Sequence, residues 1–491
     1  NPETVSTDFD TSDRLYFDPL NLECVVEVLL RENADGLLLQ FGGQTAINLS
    51  QSLNEFSLPI LGSSAESIDT ASDRHLFEEF LEQVGIPNPP GSAVSNIEEA
   101  LNVAQEVGYP VLVRPSYVLG GRAMEIVQNA TELARYMNNA FEAGGGRRVL
   151  IDKYFEGREV EVDAICDGDS VLIPGIMEHV ERAGVHSGDS MAIYPALTLS
   201  EKEVDTIVDY TIRIGKSLNV KGLMNIQYVV VGGSSYRNPQ DGRNLSEETQ
   251  VYVIEVNPRS SRTIPFISKM TGVPMVNLAV KAMLGRKITD LGYHEGLWEK
   301  QKSIGVKAPV FSMSKLAGVD TFLGPEMKST GEVMGIDTDF ESAATKALIA
   351  ANLMLPENGS ILMSISDEDK ADSIQLIHEL HKIGYHFFAT EGTASVIDGL
   401  GLPVVMVPKI LDDEGPNVVD IISNGTVNAV INTVTGDRDV LQDGFYIRRA
   451  AVEKKIPCFT SIDTARTAVS RLGKKETSFK VTTIQEHLES K

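Results

Sequence analysis

Apolar residues recur at helical spacing in several stretches of the chain, the first of which is ASDRHLFEEFLEQVG. Its apolar positions fall on one helical face: Leu76, Phe77, Phe80, Leu81 and Val84. Gly85 follows them, and glycine commonly closes a helix in the left-handed conformation. The stretch SNIEEALNVAQEVG repeats the arrangement, with Ser95 and Glu98 at the spacing of a capping box and Gly108 at the end. Both stretches therefore predict amphipathic helices.

Shorter apolar runs between turn signals predict strands. Four such runs follow the two helices: YPVLVRPS, RRVLIDKYF, REVEVDAIC and SVLIPGI. The last two are joined by Asp167-Gly168, which is a strong signal for a hairpin turn. After a helix near 200–217, GLMNIQYVVV and QVYVIEVN predict a second hairpin. The polar insert GGSSYRNPQDGRNLSEET separates these two runs and predicts a solvated loop.

The pattern changes along the chain, and a length of 491 residues favours about three domains. In residues 1–66, GLLLQFGG and LPILGS predict buried strands around a helix near 21–31. Residues 291–355 are less regular and predict a connecting layer after a central unit of residues 67–290. In residues 356–491, the runs SILMSIS, YHFFAT, PVVMVP, NAVINTV and IPCFTS alternate with helices, which predicts a small parallel α/β domain.

Composition narrows the classes of partner. The 69 acidic residues outnumber the 43 Lys and Arg, so the net charge of −26 argues against nucleic acid or an anionic membrane as the main partner. The three cysteines are widely separated and form no C-x-x-C pair, which favours a reducing cytoplasm. No apolar run approaches the ~18 residues of a spanning helix. The opening Asn-Pro, without an initiator Met, suggests a piece of a longer protein.

The stretch VYVIEVNPRSSRT combines candidate metal ligands with arginines. Glu255 and Asn257 are two residues apart on a predicted strand, so both side chains project to the same face. Gln227 takes the matching position on the preceding strand if the hairpin pairs. One carboxylate and two amides are oxygen ligands of the kind that Mg²⁺ prefers, and phosphates usually complete its coordination. The stretch therefore predicts a nucleotide–metal site.

Arg259 and Arg262 directly follow these ligands. Two guanidinium groups are suited to holding a phosphate or a planar carboxylate-like acceptor, because a transferring phosphoryl group spreads charge over its oxygens. The alternative is a capped strand end whose charges face water. Upstream, VRPSYVLGGRAME places Arg114 at a strand end before a Gly120-Gly121 loop whose amides are able to contact phosphates. An ordinary glycine-rich hairpin is the alternative there.

Two further sequence features have weaker meaning on their own. DKYFEGREVEVDA places Lys153 and Glu159 on or beside strands, where they would serve as a phosphate cation and a ribose acceptor, or as plain solvated residues. Gly215-Lys216-Ser217 ends like a phosphate-binding P-loop, but Tyr210 occupies the position of the required upstream glycine. This stretch also lies in a helical pattern, so the P-loop reading is rejected.

Seven motifs in one order resemble the C-terminal half of the large subunit of carbamoyl phosphate synthetase, over essentially the whole chain: NPETVSTDFDTSDRLYF, VRPSYVLGGRAMEIV, EHVERAGVHSGDS, MNIQ, IEVNPR, LGPEMKSTGEVMG and TEGTA. The resemblance implies an α/β and α+β multidomain chain: a partial Rossmann-like pre-ATP-grasp domain, an ATP-grasp domain and a methylglyoxal-synthase-like regulatory domain. It implies phosphorylation of carbamate by MgATP to carbamoyl phosphate, in arginine and pyrimidine biosynthesis in the cytoplasm.

The family's site residues carry over to matching positions. The resemblance assigns two divalent cations, Mg²⁺ or Mn²⁺, to Gln227, Glu255 and Asn257, with K⁺ as a further cation. Arg259 and Arg262 would orient the reacting groups, with Glu255 and Asn257 also counted as catalytic. The residues implied around ATP, besides Gln227 and Glu255, are Arg74, Arg114, Lys153, Phe155, Glu159, Gly184, Val185, His186 and Ser187. His186 is expected to act through shape or backbone contacts, because carbamate is already an anionic nucleophile.

The resemblance also implies an effector pocket in the regulatory domain. ATEGTAS places Thr390 and Thr393 where a strand gives way to a helix, which is a ready anion site. A pocket for a nucleotide monophosphate such as UMP would comprise Ser364, Lys370, Thr390, Thr393, Lys409, Asn432 and Thr433. Val434 stands where many relatives carry a hydroxyl. In ornithine-responsive relatives, the counterparts of Glu181, Asp189 and Glu332 would form an acidic effector pocket.

In the family, the second half begins with a strand and a glycine-rich turn upstream of NPETVSTD. The expected partners are the other half of the large subunit, which makes carbamate, and a glutaminase small subunit. Two alternatives to the carbamate reaction remain. One is another ATP-grasp carboxylate–amine ligase, and the other is a non-catalytic nucleotide-binding regulatory subunit.

Overall fold

The computed structural model describes residues 10–115, 124–143, 148–232, 249–312, 320–409, 416–433, 438–470, 472 and 481–489. The Gly120-Gly121 loop, the polar insert over 233–248 and Val434 lie outside these residues. No helix in the described ranges is both long and apolar enough to cross a bilayer.

The N-terminal region is built from short helices: α1 (Leu22–Glu32), α2 (Gly43–Ile47), α3 (Ser50–Glu55), α4 (Ala65–Ser72) and α5 (Arg74–Gln83). The predicted helix near 21–31 is confirmed by α1, which Asn21 caps. The two predicted buried strands are wrong, because Leu37 and Ile60 form only a single parallel bridge. Neither segment has another strand neighbour among the described residues, and Leu38 is exposed.

A four-stranded antiparallel sheet follows, with strand order β1-β4-β2-β3. Its elements are β1 (Gly91–Val94), α6 (Ile97–Val107), β2 (Val111–Pro115), β3 (Glu125–Val127), α7 (Ala130–Ala143) and β4 (Val149–Lys153). The capping box predicted at Ser95 and Glu98 is wrong by one residue. Asn96 caps α6 through the Glu99 amide, and the Glu99 carboxylate accepts from the Ser95 amide, since Asn caps a helix as well as Ser does.

The central sheet is antiparallel over most of its width, and within the described residues its order is β12-β11-β7-β6-β5-β8-β9, with a short β10 beside β6. Its elements are β5 (Arg158–Asp167), β6 (Val171–His179), β7 (Ala192–Tyr194), α8 (Glu201–Ser217), β8 (Lys221–Val231), β9 (Gln250–Asn257), α9 (Ile264–Thr271), α10 (Met275–Met283), β10 (Gly296–Leu297), β11 (Ile304–Val310), β12 (Gly331–Asp337) and α11 (Phe340–Ala350). Both predicted hairpins are confirmed, and Gly215, Lys216 and Ser217 lie in α8.

The segment after residue 290 is more regular than its sequence pattern indicated, because β11 and β12 pair with each other and extend the central sheet through β7. The pattern is hidden by Lys307 and Pro309 inside β11. Lys307 is 1% exposed, and its ammonium group donates to the Ser187 carbonyl at 2.9 Å. A buried lysine with a carbonyl partner thus occupies a position that the sequence marks as polar.

The C-terminal region is a five-stranded parallel sheet with order β15-β14-β13-β16-β17 and helices between the strands. Its elements are β13 (Ser360–Ser364), α12 (Lys370–Ile383), β14 (His386–Ala389), α13 (Glu391–Gly399), β15 (Val404–Met406), α14 (Val418–Ser423), β16 (Ala429–Asn432), α15 (Arg438–Lys454), β17 (Cys458–Phe459), α16 (Ile462–Val469) and α17 (Ile484–Glu489). The predicted parallel α/β domain is confirmed. Its core is continuous with that of the central sheet, through residues such as Ile193, Val306 and Leu376.

Candidate active site

Three neighbouring strands of the central sheet present polar side chains on one face. In the register of β8 and β9, Gln227 is opposite Glu255, and Asn225 is opposite Asn257. Directly opposed residues of antiparallel strands share a face and are close enough to interact. The amide of Asn257 donates to Glu255 Oε1 at 2.9 Å. The hairpin therefore brings the three predicted metal ligands together.

Ser187 fixes the orientation of Gln227. The Gln227 Nε2 group donates to Ser187 Oγ at 2.7 Å, and the Ser187 carbonyl accepts from Lys307 as described above. Because Nε2 makes this hydrogen bond, the amide oxygen of Gln227 remains as an acceptor. The register between β8 and β9 shifts immediately after Gln227, and such an irregularity is a common way to redirect side chains next to a functional site.

A buried polar network lies on the same face, next to the predicted ligands. Asn225 Nδ2 donates to Glu161 at 2.7 Å and to Asp163 at 2.9 Å. Thr263 Oγ1 lies 3.0 Å from Glu161 Oε1 and 2.6 Å from Asp163 Oδ2, and Ser261 donates to Asp163 at 2.7 Å. Burial, together with the neighbouring Glu161 charge, raises the pKa of Asp163. The hydrogen bonds of this network therefore connect β5 with β8 and with the start of α9 in one fixed arrangement.

Glu159 and Glu161 flank the fully buried His179. His179 Nε2 is 3.2 Å from Glu161, and Nδ1 is 3.7 Å from Glu159. Burial, with the nearby charges of Glu161, Glu255 and Glu181, raises the pKa of Glu159 to about 7. Burial opposes protonation of His179, but the two carboxylates outweigh it and raise the pKa of the imidazole. Sequence reasoning missed His179, Glu161, Asp163 and Asn225, although acidic residues at every second position of an apolar strand were a usable signal.

The two arginines after β9 take different partners. Arg259 Nε donates to Gln44 Oε1 at 3.1 Å, and its Nη1 donates to the Ser260 carbonyl at 3.2 Å. Arg262 Nη1 donates to the hydroxyl and the carbonyl of Ser329 at 2.9 and 3.2 Å. These contacts hold both side chains in place. They disfavour the alternative of a capped strand end whose charges only face water, because such side chains would have no protein partner.

A second arginine pair surrounds the buried Asp152 of β4, with Arg114 on β2 and Arg74 at the start of α5. Arg114 Nη2 is 2.8 Å from Asp152 Oδ2, and Arg74 Nη2 is 3.5 Å from Oδ1. Arg74 also donates to the Ile254 carbonyl at 3.4 Å, which connects the helix α5 to β9. Arg74 Nη2 and Arg114 Nε are buried without a hydrogen-bond partner. Asp152 Oδ1, which lies 3.5 Å from Arg74 Nη2, is also without a hydrogen-bond partner. Buried unsatisfied donors are rare, and an anion would complete Arg114 Nε.

The other predicted nucleotide residues are spread along the segment between β4 and β7. Lys153 donates to the carbonyls of Gly108 and Tyr109 at 3.0 and 2.9 Å, so its ammonium group is held by the backbone. The Phe155 ring stacks on Tyr252, with centroids 4.6 Å apart.

Gly184 has a φ of +101°, and a Cβ added there would lie 2.8 Å from Ile126, so glycine is required at this position. Val185 is half-buried beside it. His186 Nδ1 accepts from the Gly188 amide at 3.0 Å. Burial lowers the pKa of His186, which favours the neutral ring.

The predicted nucleotide-monophosphate residues gather at the carboxyl edge of the parallel sheet. Thr390 Oγ1 donates to Ser364 Oγ at 3.3 Å, and Asn432 Nδ2 donates to the Ser364 carbonyl at 3.2 Å. Thr393 accepts from the Ile365 amide and Thr433 from the Ser366 amide, each at 2.9 Å. Lys370 Nζ packs against Gly392 at the start of α13, where an added Cβ would lie 2.8 Å from it. Lys409 is farther along the edge, 3.9 Å from Asp443.

The three predicted acidic effector residues do not contact one another among the described residues. Glu181 accepts from Thr464 Oγ1 of α16 at 2.6 Å and from the Met191 amide at 2.8 Å. Asp189 accepts from the amides of Lys328 and Ser329, both at 2.8 Å. Glu332 lies 3.6 Å from Arg262 Nε, so it belongs to the surroundings of the candidate active site.

In the described part of the chain, no cluster of three or more His, Cys, Asp and Glu residues has the arrangement of a metal site. The Gln227–Glu255–Asn257 group differs from such clusters because two of its three members are amides. Oxygen donors of this kind suit a hard cation that phosphates also coordinate. The chemistry of the group therefore fits a divalent cation that arrives with a nucleotide.

Comparisons with solved structures agree with this architecture. A biotin carboxylase of Campylobacter jejuni, in a complex described as β-γ-ATP, superposes with a TM-score of 0.53 at 20% identity over 68% of this chain and 77% of that chain. The biotin carboxylase domain of Hydrogenobacter thermophilus 2-oxoglutarate carboxylase gives 0.54 at 20% identity over 69% and 79%. The two antiparallel sheets therefore have an ATP-grasp-like fold, and a parallel α/β domain follows them.

Sequence comparisons identify the family. Residues 1–70 match the carbamoyl phosphate synthase preATP-grasp domain, residues 73–291 match the ATP binding domain of the carbamoyl-phosphate synthase L chain, and residues 372–460 match an MGS-like domain. The carbamoyl phosphate synthase large chain of Thermomicrobium roseum is 52% identical over 487 residues, or 98% of this chain. The chain belongs to the carbamoyl phosphate synthase large-chain family. It spans 44% of that relative's length.

Proposed function

We propose that this chain phosphorylates carbamate with ATP, giving carbamoyl phosphate and ADP, as the second ATP-using half of a carbamoyl phosphate synthase. The observation that carries the proposal is the common face of Gln227, Glu255 and Asn257 beside Arg259 and Arg262. A chain that only bound a nucleotide for regulation would not need ligands and guanidinium groups side by side. The relative named carbamoyl phosphate synthase large chain supports the choice of substrate.

The residues on this face fit a divalent cation. Both amides donate to neighbouring oxygens, Gln227 to Ser187 and Asn257 to Glu255, so their carbonyl oxygens remain as acceptors that would serve as ligands beside one carboxylate. We assign Mg²⁺ or Mn²⁺, two per site, to Gln227, Glu255 and Asn257, and K⁺ as a further cation. A divalent cation there would supply charge neutralisation for the polyphosphate. MgADP in the H. thermophilus domain supports this assignment.

The nucleotide would lie between the two antiparallel sheets. The unsatisfied Nε–H of Arg114 would donate to a phosphate oxygen, which removes the cost of leaving this donor without a hydrogen bond. Arg74 Nη2, which lies 3.5 Å from Asp152, would add its charge. Glu159 would accept from ribose hydroxyls through a carboxyl oxygen. Phe155 and the Gly184–Ser187 segment would enclose the rest of the nucleotide, and Lys153 would contribute its charge from its backbone-held position.

The reaction needs no covalent enzyme intermediate. A carbamate oxygen attacks the γ-phosphorus, a new P–O bond forms, and the bond to the ADP oxygen breaks. Arg259 and Arg262 hold the acceptor and the transferring group in line, because their other N–H groups are already anchored on Gln44 and Ser329. His186 is not needed as a base, since carbamate is anionic and the neutral ring already accepts from the Gly188 amide.

We further propose that residues 1–66, 67–290, 291–355 and 356–491 act as pre-ATP-grasp, ATP-grasp, connecting and regulatory units. The regulatory unit would bind a nucleotide monophosphate such as UMP at the edge lined by Ser364, Thr390 and Asn432. Carbamate would come from the other half of the synthase and nitrogen from a glutaminase small subunit, in the cytoplasm, for arginine and pyrimidine synthesis.

The test is the reverse partial reaction, in which ADP and carbamoyl phosphate yield ATP. The purified chain should form ATP only with both substrates and a divalent cation, and isothermal titration should detect MgADP binding. Binding without turnover would favour the non-catalytic regulatory subunit. Turnover with another acyl phosphate, but not with carbamoyl phosphate, would favour a different ATP-grasp carboxylate–amine ligase.

A further inference from the structure

Of the lysines and arginines in the described part of the chain, only Lys307 and Arg448 are buried. Arg448 of α15 donates to both carboxylate oxygens of Asp320, and a Cβ added at Gly444 of the same helix would lie 2.5 Å from its Nη1. The charge of Arg448 therefore has an ion-pair partner. The ammonium group of Lys307 on β11 instead donates to a neutral carbonyl, that of Ser187. Burying a charge in this way is costly, so the position of Lys307 requires a physical reason.

Lys307 lies on the same face of the central sheet as the candidate metal ligands. Ala192 of β7 is opposite both Lys307 and His179 of β6. His179 is 3.2 Å from Glu161 of β5, and Glu161 is opposite Gln227. Because directly opposed residues of antiparallel strands share a face, these pairs form one row from β11 to β8. The Lys307 side chain therefore extends over the face on which Gln227 lies.

Carboxylates on this face are attracted by the charge of Lys307. Burial raises the pKa of Glu161, but the hydrogen bond and charge of His179, together with the charge of Lys307, outweigh burial and hold this pKa below its usual value. Burial also raises the pKa of Glu332 on β12, and the charge of Lys307 opposes that shift. Attraction to these carboxylates offsets part of the cost of burying the ammonium group, while its hydrogen bond goes to the backbone.

Ser187 connects Lys307 to Gln227. Its carbonyl accepts from Lys307 at 2.9 Å, and its hydroxyl accepts from Gln227 Nε2 at 2.7 Å. A hydrogen bond from a charged donor is about twice as strong as one between neutral groups. The neighbouring residues have bonds of their own, since the Gly188 carbonyl accepts from Ser329 Oγ at 3.0 Å. Loss of the ammonium group would therefore affect Ser187 more than the rest of the loop, and would let its hydroxyl move relative to Gln227.

We propose that Lys307 is a positioning residue of the candidate active site: its buried ammonium group holds Ser187, whose hydroxyl holds Gln227 in the place where its amide oxygen would bind a divalent cation. This inference rests on the proposed function, because that proposal makes Gln227 a cation ligand. Lys307 acts through Ser187 and not by contact with the substrate. Replacing residues that orient metal ligands typically lowers metal affinity or activity by about 10- to 100-fold.

The test measures how strongly a divalent cation increases the affinity for ADP. Isothermal titration of the full chain gives the Kd of ADP in EDTA and in saturating Mn²⁺, and the ratio of these two values is the metal enhancement. We expect the enhancement to fall by about tenfold in Lys307→Met, which keeps an unbranched side chain but removes its charge and donors. The Kd in EDTA should stay near the wild-type value, because the contacts of the protein with ADP itself remain.

Ser187→Ala breaks the same chain of contacts at its middle and should lower the enhancement by a similar factor. If Lys307 acts through Ser187, the double variant should lose no more than about twofold beyond the larger single loss, whereas independent effects would multiply. Lys346 is the matched control, because its ammonium group also donates to a carbonyl, that of Ile336 at 2.8 Å, and pairs with Asp337 at 2.9 Å. Lys346→Met should keep the wild-type enhancement.

Three results would overturn the inference: an unchanged enhancement in Lys307→Met or Ser187→Ala, losses that multiply in the double variant, or no enhancement by Mn²⁺ in the wild type. Thermal melts confirm folding, and Lys307→Gln takes the place of Lys307→Met in the same cycle if the latter fails to fold. Formation of ATP from ADP and carbamoyl phosphate is measured separately. Its failure would remove the catalytic proposal, whereas the metal enhancement tests Lys307 without any acceptor present.

Discussion

Replacing Arg259 by alanine is the most direct test of the proposed chemistry. The guanidinium group is largely buried, and burial lowers its pKa while the nearby Glu255 charge opposes that shift, yet an arginine in a protein remains protonated. Two of its donors are anchored on Gln44 and on the Ser260 carbonyl, so the guanidinium group is held in place within reach of the Glu255 charge. Preorganised charge of this kind stabilises the transition state more than the bound substrates.

The expected loss follows from that preorganisation. Removing one well-placed electrostatic donor costs about 10²–10³ in kcat, and we expect this loss for Arg259→Ala in ATP formation from ADP and carbamoyl phosphate. Gln44→Ala keeps the charge but removes its anchor. A hydrogen bond to a charged group is worth about 1.5 kcal/mol or more, so we expect a roughly tenfold loss in that variant.

Steady-state kinetics of the partial reaction distinguish the two variants from a general effect on the fold. Arg449→Ala removes a half-buried arginine of the same charge, paired with Glu453, and should leave kcat within about twofold of the wild type. Near-normal kcat in Arg259→Ala would refute the reasoning. So would an increase in KM with kcat unchanged, because that pattern would mean that Arg259 contributes only to ground-state binding.

Three further variants test other parts of the site. Glu255→Gln removes the only carboxylate among the predicted ligands, so we expect a loss of kcat of at least ~10²-fold and a higher Mg²⁺ requirement in the same assay. Glu159→Gln tests the raised pKa of Glu159. In the folded state Glu159 keeps its proton up to its pKa of about 7, whereas in the unfolded state the carboxyl group loses it near its ordinary, lower pKa. The stability of the wild type therefore falls as the pH rises between these two pKa values. His179, whose pKa is also raised, changes stability with pH in the same direction. In thermal melts from pH 5 to pH 8, the Tm of the wild type should fall by about 3 °C more than the Tm of Glu159→Gln. An equal fall of Tm in both proteins would contradict this. Lys216→Ala breaks only an exposed pair with Glu295, so MgADP affinity by titration should be unchanged, and weakened binding would revive the P-loop reading.

Local patterns predicted the elements that place the ligands. The alternation in REVEVDAIC and the Asp167-Gly168 turn predict the β5–β6 hairpin, which the structure has, with Asp167 Oδ1 accepting from the amides of Asp169 and Ser170. Gln227 and Glu255 were expected to pair, and they are opposite each other. These predictions succeeded because strand periodicity and turn chemistry are short-range properties of the chain.

Long-range contacts decided the places where sequence reasoning failed. Lys307 marks β11 as polar, yet the side chain is buried because the Ser187 carbonyl, 120 residues away, accepts from it. The segments GLLLQFGG and LPILGS have the apolar composition of buried strands, but they pair at one position only, Leu37 with Ile60, and form a bridge. Arg448 and Gly444 have no local signal at all, since the need for glycine arises from an arginine that turns toward Asp320. Neither a buried cation nor its partner can be read from periodicity.

The buried network on β5 explains why the candidate metal face lies on strands and not on loops. Asp163, Glu161 and Asn225 hold β5 to β8, and Thr263 ties both carboxylates to the start of α9, directly after the two arginines. Burying two carboxylates is costly unless each oxygen is hydrogen-bonded. That cost is offset only when the strands and the helix keep one relative position. The same constraint fixes Gln227 and Glu255 against Arg262, so rigidity at the site follows from the buried network beside it.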